Sequence, residues 1–133
     1  MEIERIATQI VDAAVQIHTH LGPGLLESAY EILLAKDLER RGLQVERQKA
    51  LAVEFRGIRI DDAFRVDLLV GGSVIVELKS VERLAPVHWK QVLTYLRLLD
   101  LRLGFLINFG ELRLKDGLHR VALRYHPSRP WRS

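Results

Sequence analysis

The chain contains no cysteine, so disulfides and thiolate metal ligands are excluded, and only oxygen or imidazole could hold a metal. Its five histidines lack zinc-site spacing; His18 and His20 differ by two on a predicted helix and face apart. No apolar run approaches the roughly 20 residues that span a bilayer. The opening Met1-Glu2-Ile3-Glu4-Arg5 is acidic and amphipathic, unlike a signal peptide, so a cytoplasmic protein with no membrane partner is expected. Neither sign of charge dominates: 20 Lys and Arg against 17 Asp and Glu leave +3, compatible with a nucleic acid partner without arguing for one. There is no Gly-Lys-Ser/Thr phosphate loop. Gly22-x-Gly24 follows no strand and lacks the third glycine of a dinucleotide fingerprint. No local motif suggests a Ser-His-Asp set.

What is present fits one domain. The 133 residues are 48% hydrophobic and 28% charged, enough for a real core. Ile3, Ile6, Ala7, Ile10, Ala14, Ile17 and Leu21 recur at helical spacing and predict a helix over residues 3–20. Gly22-Pro23-Gly24 stops it. A second helix is expected from Gly24 to about Arg41, with Leu26, Ala29, Tyr30, Leu33, Leu34 and Leu38 as its apolar face and Gly42 closing it. Strands follow over 44–55 and 58–60, with Arg56-Gly57 as a tight turn, and Asp61-Asp62 leads into a further hairpin. Pro86 suits the first turn of a third helix reaching Leu99. Two last strands are expected over 103–109 and 118–125, and a Pro- and Arg-rich tail over 126–133 is expected to be loosely held. This order makes an α/β sandwich with a mixed sheet.

The central hairpin carries the chemistry. Phe64-Arg65-Val66-Asp67-Leu68-Leu69-Val70 and Val74-Ile75-Val76-Glu77-Leu78-Lys79 flank Gly71-Gly72-Ser73. Side chains alternate along a strand, so Glu77 and Lys79 share a face. A two-residue loop would set Asp67 opposite Val76; a three-residue loop sets it opposite Glu77, with Arg65 opposite Lys79. The glycines favour the three-residue loop, which needs a residue at positive φ. Two carboxylates would then stand side by side with an ammonium one step along. Like charges so opposed destabilise a sheet and raise a carboxyl pKa. A divalent cation such as Mg²⁺, which takes one or two carboxylates plus water and phosphate oxygens, removes the conflict. Leu69 and Ile75 on the same face are apolar, so that face is expected to be covered.

Asp67 followed by Glu77-Leu78-Lys79 resembles the core of the PD-(D/E)XK nuclease superfamily. Gly24-Leu25-Leu26-Glu27-Ser28-Ala29-Tyr30 looks like the motif of the small GxxExxY family grouped with those nucleases, and the Gln91-x-x-x-Tyr95 helix adds to the likeness. It spans the chain from Gly22 to Gly110. The resemblance implies an αβββαβ core, mixed sheet flanked by helices, with an extra N-terminal helix. It implies Mg²⁺ or Mn²⁺ bound by Asp67 and Glu77, completed by Glu27 and the Leu78 backbone carbonyl. It also implies catalysis by Lys79, with Gln91 steadying water or phosphate.

Other residues take supporting places. His88, Gln91 and Tyr95 form one stripe of the third helix, facing either the cleft or water. Tyr30 is expected to pack or hydrogen-bond locally. Arg40, Arg41, Arg47 and Lys49 form one basic group and Arg120, Arg124, Arg129 and Arg132 another; either could hold a phosphate backbone or simply be solvated. Trp131 could stack on a base or meet a partner. The leading expectation is a metal-dependent phosphodiesterase acting on nucleic acid, DNA or RNA. A homodimer or partner protein would supply specificity, since so short a domain has little room for a recognition element. The alternative is a non-catalytic nucleic-acid-binding or assembly module on the same fold; a third, weaker reading is an enzyme on a nucleotide-sized phosphate substrate.

Overall fold

The computed structural model describes residues 2–123. The order is α1 (Glu2–Leu21), α2 (Glu27–Arg40), β1 (Val45–Phe55), β2 (Ile58–Val70), β3 (Val74–Lys79), α3 (Pro86–Leu99), β4 (Leu103–Asn108), a 3-10 turn (Leu114–Asp116) and β5 (Leu118–Ala122). The strands form one sheet in sequence order. β3 and β4 are parallel, joined by the α3 crossover, and the other neighbours are antiparallel. The mixed sheet, its flanking helices and the extra N-terminal helix agree with the expectation from sequence. The expected tail, with Arg124, Arg129, Trp131 and Arg132, lies outside the described residues.

Two cores separate on the two sheet faces. On one, Ile6, Ile10, Ala14, Tyr30, Leu34 and Leu38 of α1 and α2 pack on Leu68, Val70, Val74, Val76 and Leu78. On the other, Val92 and Leu96 of α3 pack on Val66, Leu69, Ile75 and Leu106. β3 is thus buried on both faces, as an apolar central strand should be. Close approach of α3 depends on Gly104, where a Cβ would lie 2.9 Å from Ile75 Cγ1 and 3.1 Å from Val92 Cγ1.

α2 begins at Glu27, three residues later than expected. Gly22 and Gly24 sit at φ 71° and 107°, and the Tyr30 hydroxyl donates to the Gly22 carbonyl and accepts from the Leu25 N–H, pinning the lead-in outside the helix. The buried face shifts accordingly: Leu26 is 76% exposed and Leu33 is also exposed, while Ala35 and Glu31 turn inward. The helix ends as its glycine predicts. Gly42 N–H bonds Glu39 O at 2.9 Å and Leu43 N–H bonds Leu38 O at 3.1 Å, with both leucines buried.

β2 runs unbroken through Asp61-Asp62, where the register against β1 shifts between Leu51 and Val53. Arg56 and Gly57, at φ 50° and 82°, form the expected tight turn. The β1–β2 hairpin therefore extends as a two-stranded ribbon beyond the layered body, and residues 54–63 are all exposed.

Candidate active site

The site grows from the β2–β3 hairpin. Val70 pairs with Val74, so the loop is Gly71-Gly72-Ser73, and Leu69 and Leu68 meet Ile75 and Val76. Both glycines have positive φ, and at Gly71 a Cβ would also lie 2.6 Å from Ile6 Cδ1. This register puts Asp67 across from Glu77, as the three-residue loop requires.

The regular ladder ends there. Asp67 N–H donates to Glu77 Oε2 at 2.7 Å, and Leu78 N–H donates to Asp67 Oδ2 at 2.8 Å. Each carboxylate has taken the place of a main-chain partner on the opposite strand. The pleat also slips: Phe64, Val66 and Leu69 pack on the α3 side, whereas Leu68 and Val70 pack on the other. Strict alternation would put Val66 with Leu68. Across from the slip, Gln48 of β1 has φ 49°, an uncommon backbone for a non-glycine residue. The expectation that Arg65 faces Lys79 fails for this reason. The strands part beyond Leu68, and Arg65 instead bonds Asp62 at 3.2 Å and the Gln48 carbonyl at 3.4 Å.

Burial and mutual repulsion set the electrostatics. Glu77 is 5% exposed, and burial first, then the Asp67 charge, push its carboxyl up to about 8. Burial also raises Asp67, against the Leu78 N–H bond. The Lys79 ammonium opposes both shifts, which places it by both carboxylates. Tyr95 is raised by burial and then by the Glu77 and Asp67 charges, and its ring stacks on Phe64 at 4.8 Å.

Two residues that the sequence did not single out complete the surroundings. Glu31, 6% exposed on α2, accepts from Gln48 Nε2 at 2.7 Å and from Arg47 Nε at 3.1 Å. The same Gln48 Nε2 also reaches Asp67 Oδ1 at 3.2 Å. Glu31 is close enough to push the Glu77 carboxyl upward. Helical spacing held the hint, because Glu31 lies one turn beyond Glu27 on α2. Asn108, fully buried at the end of β4 and paired with Lys79 across the ladder, clamps the loop after Lys79: it exchanges bonds with the Val81 N–H (3.0 Å) and carbonyl (2.9 Å) and accepts from Gly110 N–H (3.0 Å).

The remaining sequence candidates are spread around this centre. Glu27 is exposed at the first position of α2; Ser80 Oγ, bonded to the Leu25 carbonyl at 2.7 Å, ties that lead-in to the end of β3. Tyr30 is fully buried and stacks on Phe109 at 4.3 Å. His88 reaches back from α3 to accept the Ala85 N–H at 3.0 Å, and Gln91 is exposed on the same helix. Arg40 is exposed, but Arg41 bonds Asp12 and Asp37, Arg47 bonds Glu31, Lys49 bonds Glu46, and Arg120 bonds Glu4. Arg124 lies outside the described residues.

Among the described residues no three His, Cys, Asp or Glu side chains are grouped to hold a metal. The carboxylate pair nevertheless fits a hard divalent cation. Each carboxylate gives one oxygen to a main-chain amide, and the second oxygen of Asp67 also accepts from Gln48 Nε2 at the edge of the site. Lys79 O accepts from Phe109 N–H on the β4 side, and carbonyls alternate along a strand, so Leu78 O is directed toward the gap beside β2. Two carboxylates and a carbonyl, filled out by water and phosphate, form a Mg²⁺-type donor set.

A parted hairpin bearing Asp on one strand and Glu-x-Lys on the next, on a mixed sheet crossed by a helix, defines a nuclease-like α/β protein. The family model of the PD-(D/E)XK nuclease superfamily matches residues 4–121, and the chain belongs to that superfamily. No curated protein and no solved structure matches it.

Proposed function

We propose that the protein is a divalent-cation-dependent phosphodiesterase acting on nucleic acid. The observation that carries this reading is the Asp67–Glu77 pair, Glu77 buried and Asp67 half-buried, with both carboxyls raised and a lysine beside them. A structural role favours neutral or paired groups there; a cation site needs two acids held close. Asp67, Glu77 and the Leu78 carbonyl would hold Mg²⁺ or Mn²⁺, with Glu27 contributing from the start of α2. The cation would supply Lewis-acid stabilisation of charge on the phosphate. Lys79 would orient the attacking water and neutralise a phosphate oxygen. Gln91 would steady the water or phosphate from α3, and Tyr95 would close the site against solvent. Lys49 shares the α3 face with Val66, its partner across the ladder, and would approach the substrate backbone.

Thermal unfolding in EDTA, Mg²⁺ and Mn²⁺, on wild type beside Asp67→Ala, tests the site. A cation at about 100 times its Kd adds about 2.7 kcal/mol to the folded state. A metal-dependent rise lost in the variant is expected, together with cleavage of DNA or RNA lost in Lys79→Ala. Cleavage unchanged in either variant would sink the mechanism. The second reading, a binding or assembly module without turnover, draws on the absence, among the described residues, of three His, Cys, Asp or Glu side chains grouped to hold a metal. Nucleic acid binding without cleavage, and without any stabilisation by Mn²⁺, would favour it.

A further inference from the structure

Strand alternation breaks at Gln48 as well as at Asp67. Arg47 and Gln48 are adjacent on β1, so their side chains should point to opposite faces. Both instead reach one carboxylate: Arg47 Nε donates to Glu31 Oε2 at 3.1 Å, and Gln48 Nε2 donates to Glu31 Oε1 at 2.7 Å. The left-handed backbone of Gln48, φ 49°, makes this possible. The ladder pairs Arg47 with Leu68 and Lys49 with Val66, and leaves Gln48 and Asp67 unpaired between them. Such a backbone is strained in any residue with a Cβ, and it persists only where surrounding contacts over-determine it. Glu31 alone does not require it, because Arg47 already gives that buried acid a charged partner at 3.0 Å. What the turn adds is a bond into the site: Gln48 Nε2 also donates to Asp67 Oδ1 at 3.2 Å.

We infer that Gln48 is a positioning residue: backed by Glu31 and Arg47, it fixes the Asp67 carboxylate in the orientation that binds the divalent cation. The inference rests on the cation site proposed above and names the residues outside it that set its geometry. A primary amide has two N–H groups, so the bonds to Glu31 and Asp67 are made together. Asp67 is thereby held at both oxygens, Oδ2 by the Leu78 N–H at 2.8 Å and Oδ1 by Gln48. With the Leu78 bond alone the carboxylate would be free to rotate about it; the second bond sets its plane. Neither bond closes the site, because a carboxylate oxygen accepts at two lone-pair positions and each keeps one for a cation. Glu31 is a firm anchor, 6% exposed on α2 and gripped by Arg47. The connected groups Arg47, Glu31, Gln48 and Asp67 tie the acid on β2 to the helix layer through β1. Hydrogen-bond partners of this kind are worth about 10–100-fold in metal affinity.

Calorimetric titration of the full chain with Mn²⁺, beside urea unfolding in EDTA, tests this on wild type, Asp67→Ala, Gln48→Met and Gln48→Gly. Methionine keeps the length of the side chain and loses the amide; glycine also releases the strained backbone. Gln48 is exposed, so neither substitution opens a cavity. Both variants are expected to bind Mn²⁺ at least about tenfold more weakly than wild type. Without metal, Gln48→Gly should unfold at a higher urea midpoint than Gln48→Met, which still carries the strain. A loss of affinity common to both, with stability separating them, belongs to the amide; a merely structural Gln48 would leave the Kd of the folded protein unchanged. Wild-type affinity in either variant overturns the inference, and a glycine midpoint no higher than that of methionine overturns the strain on which it rests. The side-chain amide signals that Gln48→Met deletes from the NMR spectrum should keep their hydrogen-bonded shift when Mg²⁺ is added. Their return to the shift of free glutamine would overturn positioning in favour of a group the cation displaces. Wild type that binds no Mn²⁺ removes the cation site and this inference with it. Binding lost in Asp67→Ala but kept in both Gln48 variants removes the inference alone.

Discussion

Glu77→Gln should make the metal-free protein more stable, and increasingly so as pH rises. Glu77 titrates near 8 in the fold against 4.5 when unperturbed. Between those values the native state binds more protons than the unfolded state, so wild-type stability falls as pH rises through that window. Below about pH 4.5 the contribution of the raised pKa is fully present, and above about pH 8 it is lost. At 1.36 kcal/mol per pH unit the ceiling is on the order of 4–5 kcal/mol. Asp67 is raised in the same cluster and shares the repulsion, so about 2 kcal/mol is the smallest gain expected at about pH 9. Glutamine mimics the protonated acid: its oxygen accepts the Asp67 N–H that Glu77 Oε2 now accepts, and its amide can donate to the Asp67 carboxylate. Urea unfolding of both proteins in EDTA at about pH 4.5, 7 and 9 reads the difference directly. It should be near zero at the lowest pH and grow steadily. A difference that ignores pH, or a variant less stable at pH 9, would refute the argument that burial and repulsion hold the proton on Glu77.

Three further outcomes follow from the same contacts. Lys79→Met removes the cation opposing both raised carboxyls, so carbon-detected NMR titration should show the Asp67 and Glu77 midpoints moving upward; unchanged midpoints would place Lys79 away from the pair. Asn108→Ala strips partners from the Val81 amide and carbonyl and from the Gly110 amide, and should cost about 2–4 kcal/mol in urea unfolding, with a loss under about 1 kcal/mol contradicting the clamp. Gly104→Val drives a branched side chain into Ile75 and Val92 and should destabilise by about 1–3 kcal/mol; a neutral variant would mean α3 packs less closely than described.

Much of this molecule is written locally. The amphipathic spacing of α1, the glycine that closes α2, the Arg56-Gly57 turn and the proline that opens α3 depend on neighbours a few residues away, and each is where short-range rules put it. The same holds for the Asp67–Glu77 register, because hairpin pairing is set by the length and φ preferences of a three-residue loop. What sequence alone did not determine depends on side-chain contacts that helix and strand spacing do not specify. α2 starts late because the Tyr30 hydroxyl holds the strand of chain before it. Strict alternation fails at Asp67 because its carboxylate takes the Leu78 amide, a choice made across the sheet. Glu31 reads as one more polar residue on an amphipathic helix, and becomes part of the site only when Arg47 and Gln48, some 16 and 17 residues on, fold over it. The proton on Glu77 has the same origin: local pattern placed two acids face to face, but only the covering layers removed the water that would have screened them.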